Sequence, residues 1–116
     1  MIRTFIELPT FSKRWSDLGF SDVELRILQI ELLKNPEAGV IMQGTGGVRK
    51  VRVAFDKRGK SGSARVCYID FADAEKIYLL TAYAKQEKGN LSDDEKNNIR
   101  KLVKILKSEV SKGVIR

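Results

Sequence analysis

Four basic residues, Lys50, Arg52, Arg65 and Lys85, are spaced so that cations on neighbouring strands can meet on one phosphate. Lys50 and Arg52 stand two apart in the run VRKVRVAF, so in an extended segment they share a face, opposite Val51, Val53 and Phe55. Arg65 enters the next β-rich run, ARVCYIDF, and Lys85 stands at the end of the one after it. Such a set suits RNA cleavage. Attack of a 2′-hydroxyl on the adjacent phosphorus needs a base, cations for the charge that grows on the phosphorane oxygens, and an acid for the departing 5′-oxygen. Positioned Lys and Arg supply the electrostatic part without a metal. Lys50, beside Arg49 and Arg52, is the candidate base, because crowding by like charges eases the loss of a proton. Of the three tyrosines, Tyr68, Tyr78 and Tyr83, the last lies nearest Lys85 and is the best placed to stack or to move a proton. A strand tyrosine more often simply packs.

The charge around these positions is concentrated. Residues Arg49 to Arg65 hold seven basic side chains against one acid, Asp56, and so carry +6 of the chain's net +7. A lysine-protected hairpin would show some of this. The shared face of Lys50 and Arg52 points instead to a polyanion, nucleic acid first. Other chemistries fall away. With no histidine and a single cysteine, Cys67, the chain offers no zinc set and no intramolecular disulfide, which fits a reducing, cytoplasmic setting and no cofactor. Cys67 itself, with no histidine to activate it, reads as a small core residue, and Trp15 reads as packing. The N-terminal MIRTFIELPTFSKRW has no signal-peptide core, and the longest apolar stretch, Ile77 to Ala84, is far short of the ~20 residues of a bilayer span. Gly44 to Gly47 (GTGG) opens a strand rather than a helix, so it is read as backbone geometry and not as a phosphate loop. Gly59-Lys60-Ser61 resembles the end of a P-loop, but Ala54 stands where a glycine is required and no helix pattern follows.

Positioning these residues falls to a single domain spanning 1–116. Ile2 to Leu8 alternates as a strand stopped by Pro9, and Phe11 to Leu18 predicts a short helix closed by Gly19. Ser21-Asp22-Val23-Glu24 is a capping box, with Phe20 and Leu25 placed as a hydrophobic staple. Two apolar stripes follow, Val23, Ile27, Ile30 and Leu25, Leu28, Leu32, predicting a helix with a wide packing face that ends at Asn35-Pro36. Val48 to Phe55, Ala64 to Phe71 and Ile77 to Tyr83 then read as an antiparallel meander. A second capping box, Ser92 to Glu95, opens a helix with Ile99, Leu102, Val103, Leu106 and Val110 on one stripe. Helices segregated from a run of strands predict an α+β fold: an antiparallel sheet with N-terminal helices and a C-terminal helix packed on it.

The run QGTGGVRKVRVA (Gln43 to Ala54), the basic glycine-rich hairpin after it, SARVCYID (Ser63 to Asp70), YLLTAYAKQE (Tyr78 to Glu87) and LSDDE together resemble the HigB branch of the RelE/ParE toxin superfamily. The resemblance covers nearly the whole chain. It implies a compact RelE-like α+β domain with helices on one face of its sheet, and a toxin of a bacterial toxin–antitoxin module that cuts messenger RNA in the ribosomal A site. Its partners would be the ribosome, the message and an antitoxin, of the helix-turn-helix, HigA-like kind, that covers the basic cleft; no membrane is involved. The toxin itself would be monomeric within the larger antitoxin complex. Lys50 and Arg52 match the family's paired basic residues, Arg65 the arginine that contacts the scissile phosphate, and Lys85 a lysine ending the following strand. Gln86 stands where some members carry an arginine, and the C-terminal tyrosine of RelE proper has no counterpart here. The resemblance therefore leaves two assignments open: Lys50 as base with Lys85 as acid, or Tyr83 in either role. Arg49, Lys57, Arg58 and Lys60 would grip ribosomal RNA. A ParE-like inhibitor of DNA gyrase and a non-catalytic RNA-binding module are the competing functions.

Overall fold

The computed structural model describes residues 2–54, 63–85 and 87–115. Three β-rich runs form the predicted meander, β3 (Arg49–Val53), β4 (Ala64–Phe71) and β5 (Lys76–Ala84), paired antiparallel. A two-residue strand, β2 (Val40–Ile41), extends the sheet beyond β3, and β1 (Thr4–Glu7) pairs with β5 on the far side. The order is β1-β5-β4-β3-β2. The β1–β5 pairing is parallel, so the sheet is mixed rather than wholly antiparallel. Parallel neighbours need a long connection, and everything from the first helix to β4 lies between these two strands.

Local sequence sets the helix ends. Pro9 stops β1 and also opens α1 (Pro9–Asp17), where its missing N–H costs nothing. Gly19, at φ 83°, closes that helix, with its N–H on the Ser16 carbonyl at 2.9 Å and that of Phe20 on Trp15 at 3.2 Å. α2 (Asp22–Lys34) begins at the expected capping box: the Glu24 N–H donates to Ser21 Oγ at 3.2 Å, and the Ser21 N–H to Glu24 Oε1 at 2.8 Å. Such a cap stabilises a helix by ~1 kcal/mol. α3 (Asp93–Ile115) starts the same way, Glu95 N–H on Ser92 Oγ at 3.1 Å and Ser92 N–H on Glu95 Oε1 at 2.9 Å.

Packing departs from the simplest picture in two ways. Of the two stripes on α2, only Leu25, Leu28 and Leu32 reach the sheet; Val23, Ile27 and Ile30 stay exposed, because a helix on a flat sheet buries one limited arc. And helices cover both faces of the sheet, not one. α1 and α2 place Phe11, Trp15, Leu28 and Leu32 against Val66, Tyr68, Ile77 and Leu79, while α3 places Val103, Leu106 and Val110 against Val48, Cys67, Ile69 and Tyr78. The reason is in β4, whose residues are apolar in both directions, Val66 and Tyr68 one way, Cys67 and Ile69 the other. Trp15 stacks between Phe11 and Phe20, centroids 5.5 and 4.5 Å away.

The GTGG segment is a backbone device. Gly46 has φ 84°, a backbone conformation that strains any other residue, and a Cβ there would lie 3.2 Å from Val103 Cγ1 on α3, tighter than ordinary contact. Thr45, fully buried, donates to the Met42 carbonyl at 2.6 Å and accepts the Val48 N–H at 3.1 Å, fixing the entry to β3.

Candidate active site

Strand register brings the cations together. Arg52 pairs with Arg65, which pairs with Tyr83; in the neighbouring row Lys50 pairs with Cys67, which pairs with Thr81. Residues directly opposite one another project to the same side. Lys50, Arg52, Arg65 and Tyr83 therefore all rise from the α3 face, at the end away from the Val48, Ile69 and Tyr78 contacts of that helix. Arg52 is exposed there, and Lys50 and Arg65 are half-buried. Lys85 follows β5 directly, is exposed, and donates its backbone N–H to the Ser63 carbonyl at 3.3 Å, which sets it at the same end.

Two arginines directly opposite across a ladder repel each other. Ser63 lies between them: its Oγ accepts Arg52 Nε at 3.2 Å and Arg65 Nη1 at 3.3 Å, and Arg65 Nη1 also reaches the Ala64 carbonyl at 3.3 Å. The β5–α3 connection closes in from the other side. Lys50 Nζ donates to Asn90 Oδ1 at 3.0 Å, and Lys88 Nζ sits 5.6 Å from the Tyr83 ring centroid while pairing with Glu95 Oε2 at 2.5 Å. Ser63, Lys88 and Asn90 were not among the residues singled out from the sequence. Isolated polar residues outside a periodic element carry no local signal, and only the capping role of Glu95 was visible.

Tyr83 is 2% exposed, and its hydroxyl is the buried side-chain polar atom that finds no hydrogen-bond partner among the described residues. Burial pushes it up to about 12, so at neutral pH it is an uncharged phenol and no base. The same burial holds the Cys67 thiol up at about 12, against the pull of nearby Lys50, which makes it inert. Arg49 is not brought to the cluster. It pairs with Tyr68 and projects to the opposite face, where its Nη1 donates to the Gly39 carbonyl at 2.8 Å and its Nη2 lies 3.7 Å from Glu37 Oε2. Lys57, Arg58 and Lys60 lie outside the described residues.

Beyond the end of β1, the outer edge of β5 is blunted. Arg14 Nε donates to the Ala82 carbonyl at 3.0 Å and pairs with Glu87, whose Oε1 accepts the Ala84 N–H at 2.9 Å. That N–H, with Arg14 adding to it, holds the Glu87 carboxyl below the usual range. A cleft of about 600 Å³ runs between this edge and α3, lined by Arg14, Tyr83, Lys88, Leu91 and Ile99. Lys50, Arg52, Arg65 and Lys85 do not line it; Arg52 and Lys85 are exposed and Lys50 and Arg65 half-buried. Among the described residues no group of His, Cys, Asp or Glu could hold a metal, and no helix is long and apolar enough to cross a membrane.

Residues 12–114 match the family described as the RelE toxin of the RelE/RelB toxin–antitoxin system, a span that includes every cation of the cluster. The chain belongs to the RelE toxin family. A solved structure of the E. coli toxin RelE, an arginine-to-alanine double mutant in the free state, is similar at a TM-score of 0.53 and 15% identity, covering 77% of this chain and 90% of that one. The RelE fold accounts for the five-stranded sheet and its three helices.

Proposed function

We propose that this RelE-family toxin is a ribosome-dependent endoribonuclease that cuts messenger RNA in the A site, independently of metal, and so stops translation. The observation that carries this reading is the cross-strand pairing of Arg52 with Arg65, flanked by Lys50 and Lys85, at one end of the sheet. There the two guanidiniums meet the scissile phosphate and take up the charge of the phosphorane as it forms. Lys50, positioned by Asn90 and acting as the neutral amine, accepts the proton of the 2′-hydroxyl; that oxygen bonds to phosphorus and the bond to the 5′-oxygen breaks. Lys85 gives a proton to the departing 5′-oxygen, leaving a 2′,3′-cyclic phosphate and a free 5′-hydroxyl. Tyr83, a neutral phenol under Lys88, supports Arg65 from within the sheet rather than taking a proton.

The GTGG-x-RK-x-R and YAK motifs support a finer placement in the HigB branch, and with it a cytoplasmic toxin held by an antitoxin of the HigA, helix-turn-helix kind. Lys57, Arg58 and Lys60 add charge for ribosomal RNA; Arg49, engaged by Gly39 and Glu37, contributes to the fold instead.

Primer extension on a reporter message in reconstituted translation tests the reading, comparing naked with ribosome-bound RNA. Wild-type protein is expected to cut only at A-site codons, and Arg65→Ala to slow cleavage by about a hundredfold or more. Intact message on translating ribosomes sinks the nuclease and turns attention to gyrase.

A further inference from the structure

We infer that Ser63 is a third phosphate-binding group of the site, one that also sets the two arginines. This rests on the nuclease reading only for the identity of the phosphate. Ser63 touches three of the four cations: its carbonyl accepts the Lys85 N–H at 3.3 Å, and its Oγ accepts Arg52 Nε at 3.2 Å and Arg65 Nη1 at 3.3 Å. A serine hydroxyl has two acceptor lone pairs and one donor proton. Both accepted bonds here come from guanidinium N–H groups, so the capacity that remains is the proton, and no described residue takes it. Charge shapes its preference further. An oxygen that accepts from two cations is polarised, and its O–H becomes a stronger donor to an anion.

The arrangement has a physical purpose. Arg52 and Arg65, opposed directly across the ladder, would otherwise swing apart, and an anion would have to pull them together as it bound. A shared acceptor holds the forks in place beforehand, and its proton joins theirs on an oxyanion. The favoured ligand is thus an anionic oxygen such as that of a phosphate. Ser63 combines contact with the phosphate and positioning of its neighbours; Lys85 is placed beside it through the main chain.

Titrating the free full-length protein with inorganic phosphate, followed by NMR of the arginine side chains, tests the site apart from the reaction. Ser63→Ala is expected to weaken phosphate binding about tenfold, and Ser63→Thr, which keeps the hydroxyl, to stay within about threefold of wild type. Melting temperatures confirm that both variants fold. On translating ribosomes, Ser63→Ala should slow single-turnover cleavage by about tenfold or more and Ser63→Thr should restore it. Phosphate binding unchanged in Ser63→Ala, loss of binding in Ser63→Thr equal to that in Ser63→Ala, or no saturable binding by wild type overturns the inference. So does undiminished cleavage by Ser63→Ala. If wild type binds phosphate through Ser63 but cuts no message, the nuclease reading falls and the anion site stands.

Discussion

Tyr83 and Arg65 occupy one cross-strand row, yet one is sealed and the other meets solvent. A buried hydroxyl without a partner costs free energy that an apolar ring of the same shape does not. Tyr83→Phe is therefore expected to raise stability by about 1 kcal/mol and to leave ribosome-dependent cleavage within about threefold of wild type. Thermal melts and single-turnover cleavage of the same preparation check this; a hundredfold loss of cleavage would return Tyr83 to the role of acid. At this scale the sequence is a good guide to residue type. Cys67 without a histidine partner read as core, and it is fully buried. Lys50 and Arg52, two apart, read as sharing a face, and the register places them so. What adjacency misleads about is Arg49, whose charge counts toward the cluster in the sequence but whose side chain leaves by the other face.

The two capping boxes were legible because a cap is local: Ser21 with Glu24 and Ser92 with Glu95 need only their own four residues. β1 and β3 were legible from alternation and β4 and β5 from their β-rich composition, for the same reason; the two-residue β2 carried no such signal. The parallel pairing of β1 and the face chosen by α3 were not, since both depend on contacts with residues far away in the chain. Nor was the second task of Glu95, which caps α3 and also holds Lys88 over Tyr83. Its carboxyl is held below its ordinary 4.5, first by Lys88 and then by the Ser92 N–H. A carboxyl lowered in the folded state adds stability above its unfolded value and gives it up as pH falls through the folded one. Acidification is thus expected to loosen the start of α3 and free Lys88, with a midpoint below 4.5. Tyr83 ring resonances followed by NMR report it, and Glu95→Gln should show the loosened signals already at neutral pH. A midpoint at or above 4.5 would mean that the pairing does not form in solution.

Across the whole molecule, β1 is fastened by one long reach. Arg3 passes over β5 to Asp70 on β4, Nε to Oδ1 at 2.7 Å and Nη2 to Oδ2 at 3.2 Å, with the side chains only 10% and 14% exposed. A two-pronged, charge-assisted contact of this kind outweighs an ordinary surface pair. Asp70→Asn should lower stability by about 1–3 kcal/mol, seen as a drop of several degrees in Tm, with cleavage by the folded fraction intact. An unchanged Tm would mean that β1 is held by its ladder alone. The topology also imposes an order on synthesis. β1 is made before every other strand and pairs only with β5, the last of them; α3 follows all the strands, and one face of the sheet is bare until it arrives. A nascent chain therefore holds Lys50, Arg52 and Arg65 on an unfinished scaffold, and the site takes its final shape only once α3 has emerged and docked.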